Sequence, residues 1–183
     1  EIATAHGAVL IMDEIQSGFR TGDPFVSVAA GTVPDIMVTA KALANGLPIG
    51  LTMVTEEISA QMPGGAHGST FGGNPLVARG ALETLRILRE DSLYEQAARV
   101  GAYTLQQIEA LAHPKIRAVR GKGLMMGIEL KQKATPVLRG LQEQGVLALP
   151  AGNLIIRFLP PMTWQQEHAD ELVATLSRVL GPA

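Results

Sequence analysis

After Gly7 the chain runs through Ala8–Met12 without a polar residue and stops on two adjacent acids, Asp13 and Glu14. An unbroken apolar run of this length predicts a strand covered on both faces, as in a parallel sheet. Residues 1–6 before it read as the tail of a helix. Residues 17–35 are rich in Gly, Pro, Thr and Asp and predict a loop with one short helix. "DIMVTAKAL" and "PIGLTMVT" supply two more short apolar segments, "EEISAQM" a short helix, and "PGGAHGSTFGGNP" a glycine-dense loop. Short apolar runs separated by loops and helices predict an α/β sheet domain.

From Pro75 the pattern turns helical. "PLVARGALETLRILRED" places Leu76, Leu82, Leu85 and Leu88 at helical spacing, with Pro75 at a permitted first-turn position. A second helix over residues 92–111 follows, and "HPK" ends it. "IRAVRGKGLMMGIEL" predicts two strands joined at Gly121–Gly123. Residues 135–144 predict a helix, "GVLALPAG" and "NLIIRFLPP" two strands, and "TWQQEHADELVATLSRVL" a closing amphipathic helix with Thr163 as N-cap. The change of character near residue 90 predicts two parts: residues 1–90, the remainder of a large α/β domain, and residues 91–183, a small α/β domain.

Composition narrows the function classes. Of 183 residues, 46% are hydrophobic and 17% charged, enough apolar material for a substantial core. A net charge of −2 argues against a surface held by nucleic-acid phosphates, and no Lys/Arg block suggests a membrane patch. Cysteine is absent, which excludes disulfides, thiolate catalysis and Cys-ligated zinc, and fits a reducing compartment. No apolar stretch approaches the roughly 20 residues of a membrane helix. The chain opens on Glu1 with no basic stretch or long apolar segment of a secretion signal, and the abrupt start predicts a piece of a longer protein.

Asp13 and Glu14 close an apolar run, where ligands of open α/β sheets bind. A carboxylate there either caps a neighbouring helix, pairs with an arginine, or serves a ligand. Lys41 lies within "MVTAKALANG", and apolar neighbours on both sides would strip water from its ammonium, as a nucleophilic amine requires. An acid at one strand end and a lysine near another together suit pyridoxal phosphate, which needs a lysine amine and an acid for its ring nitrogen. In "GGAHGSTFGGNP", five glycines with Ser69 and Thr70 can cradle a phosphate, or form a plain flexible turn. The glycines at 121, 123 and 127 do not fit the dinucleotide spacing and predict a tight hairpin instead. Arg157, inside an apolar strand, suits either an internal acid or a substrate carboxylate. The four histidines have no metal-ligand spacing, so no metal site is expected.

"LIMDEIQSGFRTG", "PDIMVTAKALANGLPIG", "HGSTFGGNPL", "RGKGLMMGIEL" and "IIRFLPP" resemble, in order, the motifs of class III, fold-type I aminotransferases. Within that family the similarity is greatest to acetylornithine aminotransferases of arginine biosynthesis and to lysine-biosynthesis enzymes acting on an acetylated or carrier-linked lysine. The resemblance implies the C-terminal part of a fold-type I enzyme with pyridoxal 5′-phosphate as cofactor. By it, Asp13 binds the ring nitrogen, Gln16 the ring's 3-oxygen, and Glu14 and Ile15 complete the cofactor-contacting stretch. Lys41 bonds covalently to the cofactor and then shuttles a proton. Thr70 reaches the phosphate of the other subunit in a homodimer, Ser69 lies beside the substrate, and Arg157 clamps the α-carboxylate of glutamate and 2-oxoglutarate. The implied reaction moves an ω-amino group from acetylornithine, ornithine or a blocked lysine to 2-oxoglutarate, in the cytoplasm. An aminomutase of the glutamate-semialdehyde type and a non-catalytic truncated chain are the alternatives. "SGFRTG" is one residue shorter than the usual family motif, and the family's first phosphate-binding turn, ring-stacking aromatic and distal substrate residues have no counterpart here. These 183 residues alone are therefore expected to be inactive.

Overall fold

In the computed structural model, which describes residues 2–182, the apolar run after Gly7 is a strand for only three residues, β1 (Ile11–Asp13). A short helix, α1 (Ile2–Ala5), precedes it; Glu1, expected in the same helix, lies outside the described residues. Next come α2 (Val26–Ala29), β2 (Ile36–Ala40), a 3₁₀ turn (Lys41–Ala44), β3 (Gly50–Val54), α3 (Glu56–Gln61) and α4 (Pro75–Glu90). The strands form one sheet in the order β1-β2-β3, with β1 parallel and β3 antiparallel to β2. Asp35 fastens the start of this sheet. Its carboxylate accepts from the Leu10 N–H at 2.7 Å, its own N–H donates to the Leu10 carbonyl, and its carbonyl accepts from the Thr55 N–H.

The expectation that β1 is covered on both faces does not hold within the described residues. Register puts Met12, Met37 and Met53 on one face and Ile11, Ile36 and Val54 on the other. Met37 and Thr39 are buried on the first face; on the second, Ile11 is 58% exposed and nothing is buried. Among the described residues β1 is an edge strand with β2 as its single neighbour.

The leucine series also misleads for α4. Leu76 and Leu82 are exposed, whereas Val77, Ala81 and Leu88 are buried. The helix packs on the 3₁₀ turn, and a Cβ at Gly80 would meet Leu47 Cδ1, three residues beyond that turn, at 2.5 Å.

The chain divides after Ser92. The second unit comprises residues from Leu93 onward together with Arg20–Gly22, while residues up to Phe19 and Asp23–Ser92 form the first. Its elements are α5 (Leu93–Ala110), β4 (Ile116–Lys122), β5 (Met125–Leu130), α6 (Ala134–Glu143), β6 (Leu149–Pro150), β7 (Ile155–Phe158) and α7 (Gln166–Leu180). The sheet is antiparallel in the order β4-β5-β7-β6. β5 alternates strictly, so Met126, Ile128 and Leu130 face the helices and join Ile108, Leu141, Ile156, Leu172 and Leu176 in one core.

The cap of α7 is Gln165, not Thr163. The Gln165 N–H donates to His168 Nδ1 at 3.0 Å, and Trp164 stacks near the same imidazole, with ring centroids 6.3 Å apart. The expected β4–β5 hairpin turns at Gly123, whose φ of 53° lies in the left-handed region that glycine adopts freely. A Cβ on Gly101 of α5 would overlap the Gly123 carbonyl, so helix and turn are in backbone contact. Arg20–Gly22 lie against the same turn. The Leu124 N–H donates to the Arg20 carbonyl at 2.8 Å, and Arg20 Nη1 donates to the Pro160 carbonyl at 2.7 Å.

Candidate active site

Parallel pairing of Asp13 with Val38 brings the C-terminal ends of β1 and β2 to one edge of the first sheet, where Asp13 ends one strand and Lys41 follows the other. Strand alternation sends the two acids in opposite directions. Asp13 is exposed; its Oδ1 accepts from the Ile15 N–H at 3.0 Å, which fixes the carboxylate above the start of the loop. Glu14 is 1% exposed. Its carboxylate accepts from the Ser17 hydroxyl and, at 2.8 Å, from the Ser27 N–H in the first turn of α2. Burial works against the ionised form, but the hydrogen bonds from Ser17 and Ser27 outweigh it and hold the Glu14 carboxyl below its ordinary range. Glu14 therefore caps α2 from a distance and is turned away from the sheet edge. Ile15 and Gln16 are half-buried between Glu14 and Ser17.

Lys41 has a φ of 45°, an uncommon conformation for a residue with a Cβ. Such backbone strain concentrates at functional positions. The burial expected from its apolar neighbours is not observed. Leu43 and Ala44 turn inward on the 3₁₀ turn, while Lys41 itself is exposed. Asn45, also left-handed at φ 47°, closes that turn.

The glycine-dense loop is exposed from Pro63 through Gly73. Ser69 Oγ accepts from the Gly72 N–H at 3.0 Å, so part of its hydrogen-bonding capacity is spent within the loop. Thr70 beside it is exposed. Asn74 anchors the loop to α4, with Oδ1 accepting from the Val77 N–H at 3.0 Å and Nδ2 donating to the Phe71 carbonyl at 2.9 Å. Sequence reasoning passed over Asn74, although an Asn immediately before a first-turn Pro is a strong helix-start signal. It passed over Ser17 and Ser27 as partners of Glu14 as well, and nothing local in the sequence marks the Glu14–Ser27 pairing, which spans twelve intervening residues.

Arg157 belongs to the second unit. It is half-buried on β7, between Gly127 of β5 and Leu149 of β6. It lines a cavity of about 630 Å³ together with Trp164, His168, Glu171 and apolar residues of β6 and its approach. No group of three or more His, Cys, Asp or Glu able to hold a metal occurs among the described residues. No described helix is long and apolar enough to cross a membrane.

The donor set at the first sheet edge is an exposed carboxylate and an exposed amine on a strained turn. It fits a ligand that offers a cationic ring nitrogen and an electrophilic carbonyl carbon. The hydroxyl-bearing glycine loop adds donors of the type that bind phosphate.

The profile of the family described as Aminotransferase class-III matches residues 1–180. The LysW-aminoadipate semialdehyde transaminase of Deinococcus radiodurans is 45% identical over 181 residues, covering 98% of this chain and 42% of that protein. The acetylornithine aminotransferase of Myxococcus xanthus is 44% identical over 161 residues, covering 85% of this chain and 40% of that protein. Among solved structures, the acetylornithine aminotransferase of Elizabethkingia anophelis superposes with a TM-score of 0.90 at 32% identity, covering 98% of this chain and 49% of that one. An ornithine aminotransferase from Toxoplasma gondii, described as having partial occupancy of PLP at its active site, superposes with a TM-score of 0.88 at 31% identity, over 98% of this chain and 44% of that one. The chain thus spans about half the length of the relatives it matches, and its α/β architecture is that of fold-type I pyridoxal-phosphate enzymes. Carrying this profile along almost its whole length, the chain belongs to the class-III aminotransferases.

Proposed function

We propose that the whole protein containing these residues is a transaminase that moves an ω-amino group from acetylornithine, ornithine or a blocked lysine to 2-oxoglutarate. The observation that carries the reading is the convergence of Asp13 and Lys41 on one sheet edge in a class-III aminotransferase chain. The names of the relatives support an ω-amine as donor. The family's cofactor is pyridoxal 5′-phosphate, which supplies an electron sink for the carbon that gains or loses the amine.

In this reading the Asp13 carboxylate, held by the Ile15 N–H, keeps the proton on the ring nitrogen. Gln16 donates to the ring oxygen. Lys41 Nζ anchors the cofactor and then carries the proton to and from the reacting carbon; its exposure leaves it accessible for both roles. Thr70, on an exposed loop anchored by Asn74, serves the phosphate in a partner subunit, with Ser69 towards the substrate. Arg157, on an inner strand of its sheet, presents a planar fork to the substrate α-carboxylate.

The decisive experiment replaces Lys41 by Ala in the whole protein. Transamination and the absorbance of the lysine–cofactor imine should both disappear, and retained turnover would overturn the assignment. Product formation should also depend strictly on an added keto acid; turnover without one would favour an aminomutase.

A further inference from the structure

The acid next to Asp13 has no part in the reaction just described, and its surroundings give it a different one. Glu14 is tied at four points. Its N–H donates to the Val38 carbonyl of β2 at 2.9 Å, and its carbonyl accepts from the Gly18 N–H at 3.0 Å. Its carboxylate accepts from the Ser17 hydroxyl and from the Ser27 N–H at 2.8 Å. Ile15 and Gln16 are the only residues between Glu14 and Ser17, so the Glu14–Ser17 hydrogen bond closes a small ring around them. Gly18 seals that ring, because a Cβ there would lie 2.7 Å from the Glu14 carbonyl oxygen. The Ser27 bond ties the ring to α2, beyond the far end of the loop. Asp13, at the ring's entry, is oriented in turn by the Ile15 N–H.

From this geometry we infer that Glu14 is a positioning residue, a buried latch that sets Asp13 and Gln16 for the cofactor ring without touching the cofactor itself. The inference gives Glu14 an indirect role in place of the direct cofactor contact the resemblance implies, and it rests on the roles proposed above for Asp13 and Gln16. Its physical basis is that a carboxylate held by two donors offers a rigid acceptor, which neither an amide nor a methyl reproduces.

The test uses Glu14→Gln and Glu14→Ala in the whole protein. In the cofactor-free form, amide hydrogen exchange at Ile15–Ser17 and Ser27 should accelerate in both variants, while exchange in α5 and β5 stays unchanged. The dissociation constant for pyridoxal phosphate, read from the visible absorbance of the bound cofactor, should rise about tenfold in Glu14→Gln and further in Glu14→Ala, the scale typical of outer residues that orient a ligand's direct contacts. Faster exchange with unchanged affinity would overturn the positioning role and leave Glu14 as a loop anchor only. Unchanged exchange would overturn the latch itself. Should Glu14→Ala fail to fold, Glu14→Gln carries both readouts. Absence of cofactor binding by the unaltered protein would overturn the functional reading instead, and the exchange measurement would still decide whether Glu14 holds the loop.

Discussion

Asp13 and Glu14 are chemically alike and adjacent, yet the pleat gives one to solvent and the other to the interior. For Glu14 the consequence is a pH dependence with a definite sign. Its folded-state carboxyl is held below the ordinary value of 4.5 by the Ser17 and Ser27 hydrogen bonds, despite the opposing effect of burial. The stabilisation is therefore fully present above pH 4.5 and is lost as the pH falls through the folded-state value. Urea midpoints of the unaltered protein and Glu14→Gln should differ at neutral pH and converge below that window; a constant difference down to strong acid would contradict the argument. The identity of the two acids was legible in the sequence, but their opposite fates were not. Deciding them requires knowing where β1 ends and which face of its sheet is covered. Lys41 carried the same ambiguity. Its apolar neighbours promised burial, but the 3₁₀ turn rotates Leu43 and Ala44 inward and leaves the lysine outside.

Elements with a regular period were read well from the chain, because their cores enforce the pattern. β4 and β5 form the expected hairpin, and α5 and α6 fall close to their expected spans. The misreadings are places where hydrophobicity does not decide. In α4, Val77 and Ala81 pack inward, and the larger Leu76 and Leu82 are left outside. In α7, the cap moved from Thr163 to Gln165, where His168 accepts the free N–H. The α5–hairpin junction makes the clearest prediction at this scale. Gly101→Ala drives a Cβ into the Gly123 carbonyl, and neither backbone can yield without disturbing the turn. The expected cost is about 3 kcal/mol, at the upper end of overpacking in a filled core, measured as a lowered denaturant midpoint with an unchanged slope. Unchanged or raised stability, the outcome of a Gly→Ala exchange at an exposed helix position, would show that the contact is not tight.

For the molecule as a whole, the first unit leaves one apolar sheet face incompletely covered among the described residues. Ile11 is 58% and neighbouring Val9 51% exposed, and Ile36, Val38 and Val54 are only partly buried. Faces of this kind mark surfaces that associate. Residues 1–183 produced alone are expected to bind a hydrophobic dye and to show a light-scattering mass that falls on dilution. A constant monomeric mass without dye binding would count against that expectation. The placement of Arg20–Gly22 bears on how the molecule can be dissected. A cut between Ser92 and Leu93 does not yield an intact second unit, because three of its residues come from far upstream. A gene fragment starting at Leu93 would deprive the Leu124 amide of its acceptor and the Pro160 carbonyl of its guanidinium. An autonomous version must bring Arg20–Gly22 with it, either through a rearranged chain order or as a peptide supplied in trans.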